Sequence, residues 1–149
     1  MEGRVESPPR FAALAAEVGL RALAPPVAVL LLHAVLSLGF DAYDRFPWLD
    51  TPMHVLGGVA IAAAIERALA ALQRQGWVRA IEPVVAAALV LGLSCVAAFA
   101  WECAEFVSDR YLGTHAQIGV ADTLIDMTLG LAGAAAFLAA RSLLARRTG

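Results

Sequence analysis

The run PVVAAALVLGLSCVAAFAWECAEFV, from Pro83 to Val107, decides the fold, because it carries no charge until Glu102 and Glu105 near its end. A stretch of roughly 20 apolar residues is what an α-helix needs to cross a bilayer core of about 30 Å. Three further apolar runs, at about 24–40, 52–72 and 121–145, repeat the signature. With 60% hydrophobic and 16% charged residues and a mean hydropathy of +0.72, the 149 residues cannot form an ordinary soluble domain. The expected fold is all-α and integral to the membrane: one membrane domain over 1–149, built as a bundle of four transmembrane helices.

Ahead of the first run, 9–23 places apolar and small residues at helical spacing around Arg10, Glu17 and Arg21, the pattern of an amphipathic helix lying in the membrane interface. Met1 to Arg10 is polar with balanced charge, so no cleaved signal is expected and the first span stays. Pro25 and Pro26 suit the first turn of that span, where missing amide donors matter least.

Orientation follows from the arginines, the basic residues of the chain apart from three histidines. Arg4, Arg10, Arg21, Arg67, Arg74, Arg79, Arg141, Arg146 and Arg147 fall on one side of a four-span arrangement, and Arg45 and Arg110 on the other. By the positive-inside rule both termini are cytoplasmic. The loops Asp41 to Thr51 and Ser108 to Val120 then face outward, carrying Tyr43, Phe46, Trp48 and Tyr111 as interfacial aromatics. Cys95 and Cys103 lie about 12 Å apart along one helix and cannot bridge each other.

The chemistry is expected where ionisable residues interrupt apolar helices. Charged groups inside a bilayer cost several kcal/mol unless paired or facing water, so paired acids at helical spacing suggest a shared polar site. Asp50 and His54 lie one turn apart at the start of the second span, where Asp50-Thr51-Pro52 reads as a capped helix start. Glu102, Glu105 and Asp109 share a face at the outer end of the third, beside Trp101. Asp122 and Asp126 open the fourth, followed by Gly130, Gly133 and Ala134, a surface suited to close helix packing, as are Gly57 and Gly58 in the second. With alternating helix directions these ends reach similar depth. Asp50, His54, Glu102, Asp122 and Asp126 form a candidate divalent-metal site, with Glu105 and Asp126 as candidate catalytic carboxylates. Carboxylates at this density require protonation, a partner cation or a bound ion. One imidazole with several carboxylates suits Zn, Mn or Fe, and the oxygen majority keeps Mg and Ca open.

Each residue also has a structural reading. Asp50 and Asp122 suit helix starts, Glu105 and Asp109 a solvated helix end, and His54 a hydrogen bond to a carboxylate such as Asp126 that fixes two helices together. His33 reads as a buried cross-helix hydrogen bond and His115 as a loop residue near the site. Glu66-Arg67 reads as a local ion pair or snorkelling charges.

The pattern Asp50-x-x-x-His54 with Gly57-Gly58, Glu66-Arg67, Glu102-x-x-Glu105, Leu112-Gly113-Thr114, Asp122-x-x-x-Asp126-Met127 and Gly133-Ala134 resembles the YjdF-type bacterial inner-membrane proteins. More distantly it is similar to VanZ-like membrane proteins. The resemblance covers about 44–137 and implies a small helical protein of the bacterial inner membrane whose function is poorly defined, some VanZ-like members being linked to the cell envelope. Between Thr114 and Asp122 the chain departs from it: His115-Ala116-Gln117-Ile118 stands where a Gly-Asp pair near Trp-Asp is expected.

Three functions fit these residues. One is a metal-dependent hydrolase or transferase acting on an envelope or lipid-linked substrate. Another is a structural or accessory protein whose buried acids and histidine pair helices or dock a membrane partner or second copy. The third is binding or transport of a cation or amine, against which the inner halves of the spans offer Ala, Leu and Val rather than a polar path. Nucleic-acid binding is not expected, because no basic patch is interleaved with aromatics.

Overall fold

The computed structural model describes residues 10–148, so Met1 to Pro9, with Arg4, lie outside the described residues. Helix α1 covers Arg10–Glu17 and continues into a π turn at Val18–Ala22; α2 covers Ala24–Ala34 and continues into a second, Val35–Gly39. A one-turn helix α3 (Ala42–Arg45) and a 3₁₀ turn (Pro47–Leu49) lead into α4 (Asp50–Arg74). Then come α5 (Pro83–Leu112) and α6 (Val120–Thr148).

Local chemistry sets these boundaries. Pro25 and Pro83 stand in the first turns of α2 and α5, where no amide donor is missed. Gly113 ends α5 in the left-handed conformation, φ 72°, that a side chain would resist. The stretch 41–51 is more ordered than a loop: α3 and the 3₁₀ turn fill it. Asp50 is helical rather than the cap; Leu49 holds the capping position, and no side chain caps the helix. The Asp50 carboxylate is turned to His54 instead, which explains the departure from the expected start.

Helices α4, α5 and α6 are each long and apolar enough to cross a membrane. The α1–α2 pair, bent by 43°, meets the same test only when both arms are taken together. At 1.5 Å per residue α2 with its π turn reaches about 24 Å, short of a full crossing on its own. Large apolar side chains lie on the outside, among them Leu31, Val96, Phe106, Leu124 and Leu144, as expected where the surroundings are lipid tails. The interior is made mainly of small residues, with Ala62, Val90 and Ala134 at its centre and Ile65, Leu69 and Phe137 around them.

The tightest packing joins α4 and α6, two helices that run in the same direction. An added Cβ at Gly58 would overlap the Gly130 carbonyl, and one at Gly133 would overlap the Val55 carbonyl. Backbone thus meets backbone without a side chain between, the arrangement that gives lipid-embedded helices their close contacts. Gly57 is different, since a Cβ there meets nothing within 4 Å. The expected small face of α4 narrows accordingly to Gly58, with Ala62 one turn on.

At the far end from the acidic residues the charges pair between helices. Glu66 binds Arg141 of α6 at 2.5 Å rather than its neighbour Arg67, which donates to the Arg21 carbonyl at 3.2 Å. Arg74 pairs with Glu17 of α1. The local Glu66-Arg67 pair expected from the sequence is therefore replaced by ties from α4 to α6 and to the α1 end.

Gly58→Leu is predicted to lower stability by about 1–3 kcal/mol through overpacking, whereas Gly57→Ala leaves it nearly unchanged. Thermal melts of the two variants in one detergent check this.

Candidate functional site

The glycine contact sets the register of the site. Gly58 lies one turn after His54 on α4, and Gly130 one turn after Asp126 on α6. The contact therefore brings the residues one turn back on each helix face to face. His54 Nε2 stands 3.3 Å from Asp50 Oδ1 and 3.7 Å from Asp126 Oδ1. Asp126 is 5% exposed and lies a full turn inside an apolar helix, so its proximity to His54 answers an otherwise costly burial.

From the other side α5 contributes Glu102 and Glu105. Glu102 is 4% exposed; Gln117 turns its side-chain amide onto it, donating to its backbone carbonyl at 2.9 Å and its Oε2 at 3.3 Å. Glu105 accepts the Trp101 indole N–H at 2.7 Å. Among the described residues, two groups of side chains have ligand atoms within 4.8 Å of one another: Asp50, His54 and Asp126, and His54, Glu102 and Glu105. His54 belongs to both, so it is the centre of the cluster.

Of the sequence-selected site residues, Asp50, His54, Glu102, Glu105 and Asp126 come together in these groups. Asp122 stands apart from both and accepts the Ile118 amide at 3.1 Å, tying the loop end to the start of α6. Asp109, although on the same helix as the glutamates, turns to the outer loop. It accepts from the Thr114 hydroxyl (2.5 Å) and from the Ala116 and Gln117 amides (2.8 and 2.9 Å). Its work is to fold that loop over the end of α5, which delivers Gln117 to Glu102. His115 is exposed and belongs to neither group.

His33 forms its polar contact with Tyr43, Nδ1 to hydroxyl 2.8 Å, and its ring meets Trp101 edge-on at 5.3 Å between centroids. Burial pushes the Tyr43 phenol up to about 12, so it stays protonated for that bond. Tyr43 and Gln117 are the members that sequence reasoning did not place at the site. Tyr43 reads as an interfacial aromatic, and Gln117 gives no local signal because its partner is 15 residues away across a loop.

Beside the cluster is a cavity of about 230 Å³ bounded by α2, α4 and α5, with Gly130 of α6 also in its wall and Asp50, His54, His33 and Trp101 among its lining residues. The remaining wall is almost wholly apolar.

The family described as Predicted membrane protein (DUF2238) matches residues 12–147. The chain belongs to this family. The match runs from within α1 to the last turn of α6 and so includes every member of the Asp/Glu/His cluster, making this a membrane protein along its described length. Nothing matches among the curated proteins or the solved structures.

Asp109→Ala removes three hydrogen bonds from the loop, each contributing about 1 kcal/mol. Amide exchange at Ala116 and Gln117 is predicted to quicken by at least about tenfold, with α4 and α6 unchanged, as read by hydrogen-exchange mass spectrometry.

Proposed function

We propose that this DUF2238 member is a four-span protein of the bacterial inner membrane, with both termini cytoplasmic, that binds a divalent transition metal at the outer ends of its helices. In this reading Asp50, His54 and Asp126 hold the ion, and its chemistry serves hydrolysis or group transfer on a substrate of the cell envelope. The observation that carries it is the meeting of acid and imidazole ligand atoms from α4 and α6 around His54, with α5 supplying two more carboxylates. Atoms bound to one ion at about 2.0–2.2 Å lie on the order of 3–4 Å apart, and the 3.3 and 3.7 Å contacts of His54 fall in that range. An ion also answers the excess of acid, because the cluster includes no arginine.

The orientation is supported by the charge at the two ends. Arg21, Arg67, Arg74 and Arg141 gather with Glu17 and Glu66 opposite the cluster, as cytoplasmic basic residues do. The bent α1–α2 pair would supply the fourth crossing, with α1 in the cytoplasmic interface. The more distant VanZ-like resemblance, in which some members are linked to the cell envelope, is the support for an envelope role.

A bound divalent ion lowers the pKa of a coordinated water and polarises a substrate oxygen. Asp50, His54 and Asp126 would hold such an ion, Gln117 orients Glu102, and Glu105, whose Oε1 accepts the Trp101 indole N–H, would take the proton of an attacking water or hydroxyl at its free Oε2. The residues of α5 thereby act on what α4 and α6 hold.

A second reading is favoured by the backbone contact of α4 and α6: the His54–Asp126 pair, one turn from it, would serve to register two helices and nothing more. Breaking a buried pair by removing one partner costs about 3–5 kcal/mol, and replacing both recovers part of it.

Elemental analysis of detergent-purified protein, made without chelator or histidine tag, separates the two. Metal binding predicts about one transition-metal ion per chain in the parent and loss in Asp126→Asn. No metal in either sample overturns it. Helix pairing predicts instead a destabilised Asp126→Asn that His54→Gln restores in the double variant.

A further inference from the structure

The cavity beside the cluster has a shape the metal reading alone does not use. Helices α2 and α5 both pack on α4 but scarcely on each other, which leaves a cleft between them floored by α4. Pro26, Val29 and Leu30 form one wall, Ala97 the other, and Gly57 and Ile61 the floor. Leu30 is 49% exposed and the Asp50 side chain 40%, so the cleft opens sideways at membrane depth as well as at its outer end. From Asp50 to Ile61 it follows α4 for about 16 Å at 1.5 Å per residue. Its volume is about 230 Å³, and its length along α4 suits one extended chain.

The two ends differ in kind. Asp50 and His54 line the cavity, whereas Asp126, Glu102 and Glu105 do not. An ion held by Asp50, His54 and Asp126 would therefore meet the cleft on its Asp50–His54 side. The edge-on His33–Trp101 contact bridges α2 and α5 near this end and narrows the space between head and tail. Apart from the buried Ser94 hydroxyl the lining beyond Asp50, His54, His33 and Trp101 is apolar, and in a bilayer the medium at a lateral opening is hydrocarbon.

We propose that the cleft between α2 and α5 binds the hydrocarbon chain of a single-chain amphiphile whose anionic oxygen head, a phosphate or carboxylate, meets the Asp50–His54 end. This rests on the metal reading above, because a bare acid cluster repels such a head and a divalent ion accepts it as a ligand. An amine head would bind the acids directly, without an ion. The head chemistry therefore becomes an outcome of the test.

Trp101 supplies the probe. In a Trp48→Phe, Trp77→Phe background, dodecyl phosphate brominated on its chain is titrated into the full-length protein, and quenching of Trp101 is followed with metal content measured on the same samples. Gly57→Leu fills the floor without backbone overlap, and Ala97→Leu fills it from α5; thermal melts confirm that both are folded. The expected result is saturable quenching, weakened about tenfold by either variant and by metal removal. Quenching that never saturates and is equal in parent and variants overturns the cleft as a site. If metal is bound and quenching is absent, the cleft fails while the metal reading stands. If no metal is present and brominated dodecylamine gives the saturable, Gly57→Leu-sensitive signal, the anionic head is overturned together with the metal reading.

Discussion

The close approach of α4 and α6 at Gly58 and Gly130 is the constraint on which the rest of the structure depends. A bilayer gives helices no hydrophobic reason to associate, since lipid tails are as apolar as leucine; contact must come from close packing and polar pairing. Here both occur on one stripe. Backbones touch where Gly58 meets Gly130 and where Gly133 meets Val55, and one turn toward the outer surface the same stripe carries His54 and Asp126. Separating the helices by the width of one methyl group would part the imidazole from the carboxylate and leave Asp126 a buried acid without it. Packing and polar pairing are therefore not independent.

The remaining acids are managed by different means. Glu102, the most enclosed glutamate of the outer end, is met by an amide from the loop, and that loop is shaped by Asp109, a carboxylate spent on local hydrogen bonds. Glu105 is met by an indole, and Asp122 by a backbone amide at the start of its helix. At the opposite end Glu17 and Glu66 are each paired with an arginine. The bundle thus has one end where charges cancel in pairs and one where acids outnumber their partners. Surplus of one sign at membrane depth is the condition under which a cation gains most by binding.

Much of this was legible in the chain. Apolar runs of spanning length gave the helical membrane class, and the stripe Asp126-x-x-x-Gly130-x-x-Gly133 announced a helix contact because small residues at that spacing have little other use in an apolar helix. Asp50, His54, Glu102, Glu105 and Asp126 stood out because an ionisable group in such a helix is expensive wherever it has no task. What periodicity cannot carry is direction beyond the helix. Asp109 shares a face with Glu105 yet belongs to the loop, because left-handed Gly113 turns the chain back toward it. Glu66 sits beside Arg67 in sequence but adjacent helical residues point apart, so its partner comes from α6. Gly57 and Gly58 look alike as a dipeptide, and only the helix that lies against them distinguishes contact from cavity.

The central claim is that this helix contact assembles one imidazole and several carboxylates into a metal site. X-ray absorption at the zinc edge on zinc-loaded protein tests it most directly. The account predicts a first shell with one imidazole nitrogen and carboxylate oxygens at about 2.0–2.2 Å, the imidazole scattering vanishing in His54→Gln. A shell of oxygens alone, unchanged by that substitution, would mean an ion bound elsewhere on the surface and would contradict it.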